Sequence, residues 1–65
     1  MIWLAVNKDG TEVCFDKKPF RYEPLGIWCL YTNTDGVEIP KGSIEKLTGK
    51  QISWEDEPVK YKAAE

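Results

Sequence analysis

Three consecutive carboxylates, Glu55, Asp56 and Glu57, stand out as side chains that could hold a metal ion or move a proton. In an extended chain successive side chains point to opposite faces, so at most Glu55 and Glu57 converge on one point. Pro58 holds the residue before it in an extended conformation, and an acidic run ahead of a proline is typical of a turn. We therefore expect a solvated turn here.

The residues that would complete a metal or catalytic site are missing from the sequence. There is no histidine, which is a common zinc ligand and the commonest general base. No stretch has the spaced oxygen ligands and glycine bend of a calcium loop. Cys14 and Cys29 lack a CxxC spacing and an activating base, and no glycine-rich loop matches a phosphate-binding pattern. We predict a protein that is not an enzyme, with no metal site and no cofactor.

The stretch "DKKPFRYEP" (16–24) interleaves cations with aromatic rings. In one interpretation its lysines and arginine contact phosphates, while unpaired bases stack on its rings. In the other, the stretch connects two hairpins, with Phe20 or Tyr22 folded onto the core and the cations in water. We favour the connection, because Asp16 and Glu23 cancel much of the local charge.

The three tryptophans, Trp3, Trp28 and Trp54, would crowd a single core in a chain of 65 residues. An exposed tryptophan in a small protein is a candidate anchor for a partner. We expect Trp28 or Trp3 to be exposed, because their strands are apolar on both faces and few elements are available to cover them. The candidate binding surface therefore consists of Lys17, Lys18, Phe20, Arg21, Tyr22, Trp28 and Trp3.

Two similar stretches determine the predicted architecture. "IWLAVNKDGTEV" and "IWCLYTNTDGVEI" each place Asp-Gly between apolar runs, which is a strong signal for a β-hairpin. We predict two hairpins, with strands near 2–7 and 11–16 and near 27–32 and 37–40. The first strand alternates two apolar sets, which are Ile2, Leu4 and Val6 on one side and Met1, Trp3 and Ala5 on the other. Such a strand is expected to be central and covered on both faces.

The rest of the chain predicts a short helix and two further strands. The helix is expected near 44–48, with Ser43 as its cap, Gly49 at its end, and an apolar stripe of Ile44 and Leu47. A strand is predicted at 51–54. Another is predicted at 59–63, with Val59, Tyr61 and Ala63 inward and Lys60 and Lys62 in water, as on an edge strand. The predicted fold is one small domain (1–65) of the α+β class. It is mainly β, with five or six short strands in an antiparallel sheet or partly open barrel.

Charge and cysteine content limit the partners and the compartment. Nine basic and eleven acidic residues give a net charge of −2, which argues against a globally basic nucleic-acid binder. The start of the chain lacks the pattern of a signal peptide and is too short to span a bilayer, so we expect a cytoplasmic protein without membrane contact. In that compartment Cys14 and Cys29 are expected to be reduced; a disulfide between two strands is the alternative.

The pattern "WLAVNKDG…F…KPFR…IW…VEIPKGS…L…SWEDEPV" resembles a group of very short proteins of gut bacteria and their prophages, for which no activity is known. The resemblance implies a compact intracellular protein encoded by mobile DNA. It carries over no catalytic or binding residue.

Two functions follow as hypotheses. The first is a non-enzymatic module that binds a protein through an aromatic patch or a free sheet edge. The alternative is a small β-barrel that binds single-stranded nucleic acid through residues 16–24.

Overall fold

A computed structural model describes residues 1–31 and 36–62 and contains six strands and one short helix. The elements are β1 (Ile2–Val6), β2 (Glu12–Phe15), β3 (Phe20–Tyr22), β4 (Ile27–Cys29), β5 (Val37–Ile39), α1 (Ser43–Thr48) and β6 (Val59–Tyr61). Four strands form an antiparallel sheet in the order β5-β2-β1-β6, and β3 and β4 form a separate two-stranded ribbon. The prediction of a mainly β, α+β fold with one short helix is confirmed.

The first hairpin has the predicted turn. β1 pairs with β2 in a register that places Trp3 opposite Phe15. At the turn, the backbone N–H of Thr11 donates to Asp9 Oδ1 at 2.9 Å, and Gly10 has a φ of 93°, a conformation that glycine adopts without penalty. The hydrogen bond from Thr11 also lowers the pKa of the Asp9 carboxyl. Local turn chemistry therefore closes this hairpin.

The predicted second hairpin is wrong. In the described residues β4 pairs with β3, placing Trp28 opposite Arg21, while β5 pairs with β2. The stretch 16–24 is thus not only a connection, because it contains strand β3. A tight turn favours the β3–β4 pairing, since the N–H of Gly26 donates to Tyr22 O at 3.0 Å. Most of the second Asp-Gly turn lies in 32–35, outside the described residues.

The central strand β1 is covered on both faces, as predicted. One cluster is built around the buried residues Ala5, Val13, Phe15 and Trp28, with Trp3, Leu30 and Trp54 packed against it. The other is built around Leu4, Val6 and Ile44, with Ile2, Cys14, Ile39, Ile52 and Tyr61 packed against it. The ribbon contributes Trp28 to the first cluster, and the helix contributes Ile44 to the second. Because side chains alternate along β1, this one strand contributes to both layers.

The helix lies close to its predicted position but begins differently. Its N-cap is Gly42, and Ser43 is not the cap; the Ser43 hydroxyl donates to Pro40 O at 2.6 Å instead. Gly49 ends the helix in the left-handed conformation, as predicted, and its N–H donates to Glu45 O. The predicted apolar stripe is only half buried, because Leu47 is 45% exposed.

The C-terminal part contains one of the two predicted strands. Residues 51–54 form no strand, so that prediction is wrong; a turn begins at Trp54. β6 pairs only with β1 in the sheet order and is an edge strand, as predicted, with Lys60 exposed. Ala63, predicted to point inward, lies outside the described residues. The helix of the described part is neither long nor apolar enough to cross a membrane.

Candidate interaction surface

The acidic run forms the predicted solvated turn. Asp56 Oδ2 accepts hydrogen bonds from the backbone N–H of Ser53 at 2.8 Å and from its hydroxyl at 3.2 Å. Glu55 and Glu57 are exposed. Within 1–31 and 36–62, no group of three or more histidine, cysteine, aspartate or glutamate side chains is arranged to hold a metal ion.

Arg21 lies on the inner side of the ribbon, where its guanidinium contacts two tryptophan rings. Its Cζ atom lies 4.8 Å from the ring centroid of Trp28 and 5.2 Å from that of Trp54. Its Nη2 atom donates to Trp54 O at 2.9 Å, while its Nε atom is buried and has no hydrogen-bond partner in the described part of the chain. Arg21 therefore joins the ribbon to the segment before β6, and these contacts turn it away from a phosphate on the surface.

Trp28 is also an internal residue, and the expectation that it could be exposed is wrong. Only 4% of its surface is exposed, and its indole Nε1 donates to Val6 O at 2.9 Å. Its ring packs against Trp54, with the two centroids 5.8 Å apart and the planes at 64°. The ribbon of β3 and β4 covers this face of the main sheet. The sequence did not predict that cover, because strand β3 was not recognised.

The outer side of the ribbon carries three aromatic rings, which we call the aromatic face: Phe20, Tyr22 and Tyr31. Phe20 and Tyr22 alternate with the inward-pointing Arg21, so they point away from the core. The rings of Phe20 and Tyr31 stack with their centroids 4.3 Å apart, and Tyr22 meets Phe20 edge-on at 6.5 Å. Tyr31 is 91% exposed and Tyr22 is 40% exposed. The rings therefore form one cluster with free edges in solvent.

Trp3 is half-buried, and two ammonium groups approach its ring. The Nζ atom of Lys18 lies 5.7 Å from the ring centroid, and that of Lys60 lies 5.3 Å from it. Lys60 reaches the ring because it pairs with Trp3 across β1 and β6. We call Lys18 and Lys60 the lysine pair. Lys17, the other predicted cation, is exposed next to it.

The aromatic face begins beside the lysine pair. Only one residue separates Lys18 from Phe20, so their Cα atoms are at most about 7 Å apart. The turn of the ribbon is held at the opposite end, where the N–H of Lys8 donates to Gly26 O at 2.9 Å. Phe20, at the start of β3, and Tyr31, two residues after β4, therefore lie at the end of the ribbon that is away from the first hairpin turn.

The structure thus groups the predicted surface residues differently from the sequence. It leaves Lys17, Lys18 and Tyr22 exposed, keeps Trp3 and Phe20 half-buried, and turns Arg21 and Trp28 inward. The sequence analysis missed Tyr31 and Lys60. Period-2 alternation along 27–31 does place Tyr31 on the same face as Ile27 and Cys29, but it does not indicate that this face is exposed at Tyr31. No local signal places Lys60 beside Trp3.

A cleft of about 520 Å³ lies on another part of the surface, between the first hairpin turn and residues 52–55. Two of its polar side chains, those of Asn7 and Glu12, are already engaged. Asn7 Oδ1 accepts from the N–H of Trp28, and the Glu12 carboxylate accepts from the N–H groups of Gly42 and Ile44. The side chains of Lys8, Ser53 and Glu55 complete its polar lining.

Cys14 and Cys29 are unpaired thiols. Burial raises the pKa of both, and the neighbouring carboxylate of Asp16 raises that of Cys14 further. A thiol with a raised pKa is protonated near neutral pH and is a poor nucleophile. Neither cysteine therefore adds reactive chemistry to the surface.

Comparison of the chain with protein-family models, with curated proteins and with solved structures gives no match.

Proposed function

We propose that the protein is a non-enzymatic module that binds a protein partner through the aromatic face. The observation that carries this proposal is the cluster of Phe20, Tyr22 and Tyr31, in which Tyr31 is 91% exposed beside its stacked neighbour. Aromatic rings each offer roughly 150–250 Å² of surface, and tyrosine is enriched among the residues that dominate binding energy. Such a patch on a small protein marks an interaction site.

The inner side of the ribbon makes this face rigid. Arg21 and Trp28 are fixed between the ribbon, the main sheet and Trp54 by ring contacts and hydrogen bonds. A rigid face loses little conformational entropy when a partner binds, so more of the contact energy appears as affinity. We place the protein in the cytoplasm, since its two unpaired cysteines are typical of a reducing compartment.

Photo-crosslinking in cells tests this function. A benzophenone amino acid replaces Tyr31 in one variant and Leu47 in the control; Leu47 is an exposed apolar residue on the helix, in the other layer. We expect a light-dependent adduct with one protein from position 31 and not from position 47. After purification, that partner should bind the unlabelled protein, and Tyr31→Ala should weaken its binding at least about tenfold. Identical adducts from both positions, or none, would contradict the proposal.

Single-stranded nucleic acid is the second candidate, favoured by the ammonium groups of Lys18 and Lys60 close to exposed rings. Against it stand the inward position of Arg21 and the net charge of −2. Titration with single-stranded DNA and RNA at low and moderate salt tests this second function. Binding through phosphates should weaken steeply as the salt concentration rises.

A further inference from the structure

We propose that the lysine pair binds acidic side chains of the partner, so that the partner offers a segment with two carboxylates next to an apolar side chain. This inference rests on the proposed function and names the partner's chemistry. The carboxylates would bind Lys18 and Lys60, while the apolar side chain packs on the aromatic face. The site is made of residues that are 42 positions apart in the chain and meet only at Trp3.

The spacing of the two ammonium groups suits an extended acidic segment. Because both Nζ atoms lie within 5.7 Å of one ring centroid, they are no more than about 11 Å apart. Alternate residues of an extended chain point to the same side and are about 7 Å apart. Two carboxylates at such positions can each reach one ammonium group.

The contact with Trp3 holds the ammonium groups without using their hydrogen-bond donors. A cation over an aromatic ring is attracted by the ring's quadrupole, which at exposed sites contributes about 0.5–1 kcal/mol. Each ammonium group keeps three N–H donors that can turn towards an anion. Trp3 therefore positions the two charges in advance, which reduces the entropy that an acidic partner must overcome.

The charge distribution favours a carboxylate segment over a nucleic acid. The ammonium groups at Trp3 are those of Lys18 and Lys60, and the exposed Asp16 lies two residues before Lys18. The acidic turn 55–57 comes before the part of β6 that pairs with Leu4 and so lies towards the first hairpin turn. A short acidic segment needs to contact only the lysine pair at Trp3. A longer polyanion would also meet the acidic part of a protein whose net charge is −2.

The test is an NMR titration of the ¹⁵N-labelled protein with three probes, each about twelve residues or nucleotides long. The first is a peptide that alternates glutamate with small residues and contains one phenylalanine. The second has glutamine in place of every glutamate, and the third is an oligodeoxythymidine. We expect the acidic peptide to shift the indole N–H of Trp3 and the amides of Lys18 and Lys60. The glutamine peptide should bind at least about fivefold more weakly, because it lacks the charge.

A matched pair of variants identifies the site. Lys18→Gln combined with Lys60→Gln should weaken the binding of the acidic peptide at least about fivefold. Lys46→Gln combined with Lys50→Gln changes the net charge equally but lies in and after the helix, at exposed positions, and should leave the affinity unchanged. Unchanged amide dispersion confirms that each variant is folded. If Lys60→Gln disturbs the edge strand, Lys18→Gln alone gives the comparison.

The outcomes separate the inference from the function on which it rests. Equal loss in both double variants, or no difference between the two peptides, would overturn the lysine pair as an acid-binding site. If the inference is overturned in this way but Tyr31→Ala still abolishes the binding of the crosslinked partner, the proposed function stands without the inference. Tighter binding of oligodeoxythymidine than of the acidic peptide would overturn the inference and assign the site to nucleic acid.

Discussion

The carboxylate of Glu12 in the second strand accepts a hydrogen bond of 2.9 Å from the backbone N–H of Ile44 in the first turn of the helix. Its other oxygen accepts one of 2.8 Å from Gly42. A strand residue thus satisfies two of the N–H groups that a helix leaves without partners at its start. Ile44 is thereby held in the cluster that contains Leu4 and Val6, and only 2% of its surface is exposed.

Glu12→Ala should lower the free energy of unfolding by about 1–2 kcal/mol, because two backbone donors at the helix start lose their acceptor. Urea denaturation followed by circular dichroism measures the change. Glu38→Ala, which removes an exposed carboxylate from the neighbouring strand β5, is the control and should stay within about 0.5 kcal/mol of the wild type. Similar losses in both variants would mean that Glu12 does not act as the helix cap.

Arg21→Lys should lower the free energy of unfolding by about 1–2 kcal/mol even though the charge is kept. A lysine ammonium does not reproduce the planar guanidinium that contacts both Trp28 and Trp54 and donates to the backbone. Tryptophan emission during urea denaturation reports both the stability and the environment of the rings. The control is Lys17→Arg at an exposed position. A neutral Arg21→Lys would contradict the structural role assigned to the guanidinium.

Gly36→Ala should cost about 1–3 kcal/mol, because the chain approaches the core too closely for a side chain at this position. A Cβ atom there would overlap Val13 Cγ1 and lie 2.7 Å from Phe15 Cε2. A double-mutant cycle with Val13→Ala checks the cause, since the smaller residue relieves part of the overlap and the two losses should not add. Strict additivity would indicate that Gly36 is required for another reason.

Stability should fall at alkaline pH because Cys29 is buried as a neutral thiol. Burial raises its pKa above the ordinary value of 9.0, so the folded state keeps the proton to higher pH than the unfolded chain does. The stabilising effect is therefore complete below pH 9.0 and is lost as the pH rises through the folded-state pKa. Urea denaturation between about pH 8 and pH 10 should show a smaller decline for Cys29→Ala than for the wild type. An equal decline would assign the pH dependence to other groups.

Local signals in the sequence predicted the elements that depend on neighbouring residues. The first Asp-Gly turn, the left-handed glycine at the end of the helix, the acidic turn and the lysine-bearing edge strand are all present. For the two turns and the end of the helix, the interactions that define the element lie within a few residues, so residue types and spacing suffice. The edge strand was predictable from its alternating lysines, although its pairing with β1 joins residues far apart in the chain. The two apolar faces of β1 were also predictable, because alternation along one strand is a property of the backbone.

The same Asp-Gly signal failed at its second occurrence because strand pairing is a competition between distant partners. The three residues of β3 alternate in a misleading way, since the cation Arg21 is internal while Phe20 and Tyr22 lie on the outer side. Once β3 pairs with β4, the free edge of β2 is available to β5. Which of these pairings is more stable depends on the whole core.

The sequence by itself determined that the protein is a small β-rich chain with eight aromatic residues and no histidine. Only the tertiary structure decided which aromatic residues are internal and which reach the surface. Trp28 became a core residue and Tyr31 a surface residue because the ribbon folds over one face of the sheet. The lysine pair likewise depends on the pairing of β1 with β6. Contacts between residues far apart in the chain arise from packing, which local propensities do not encode.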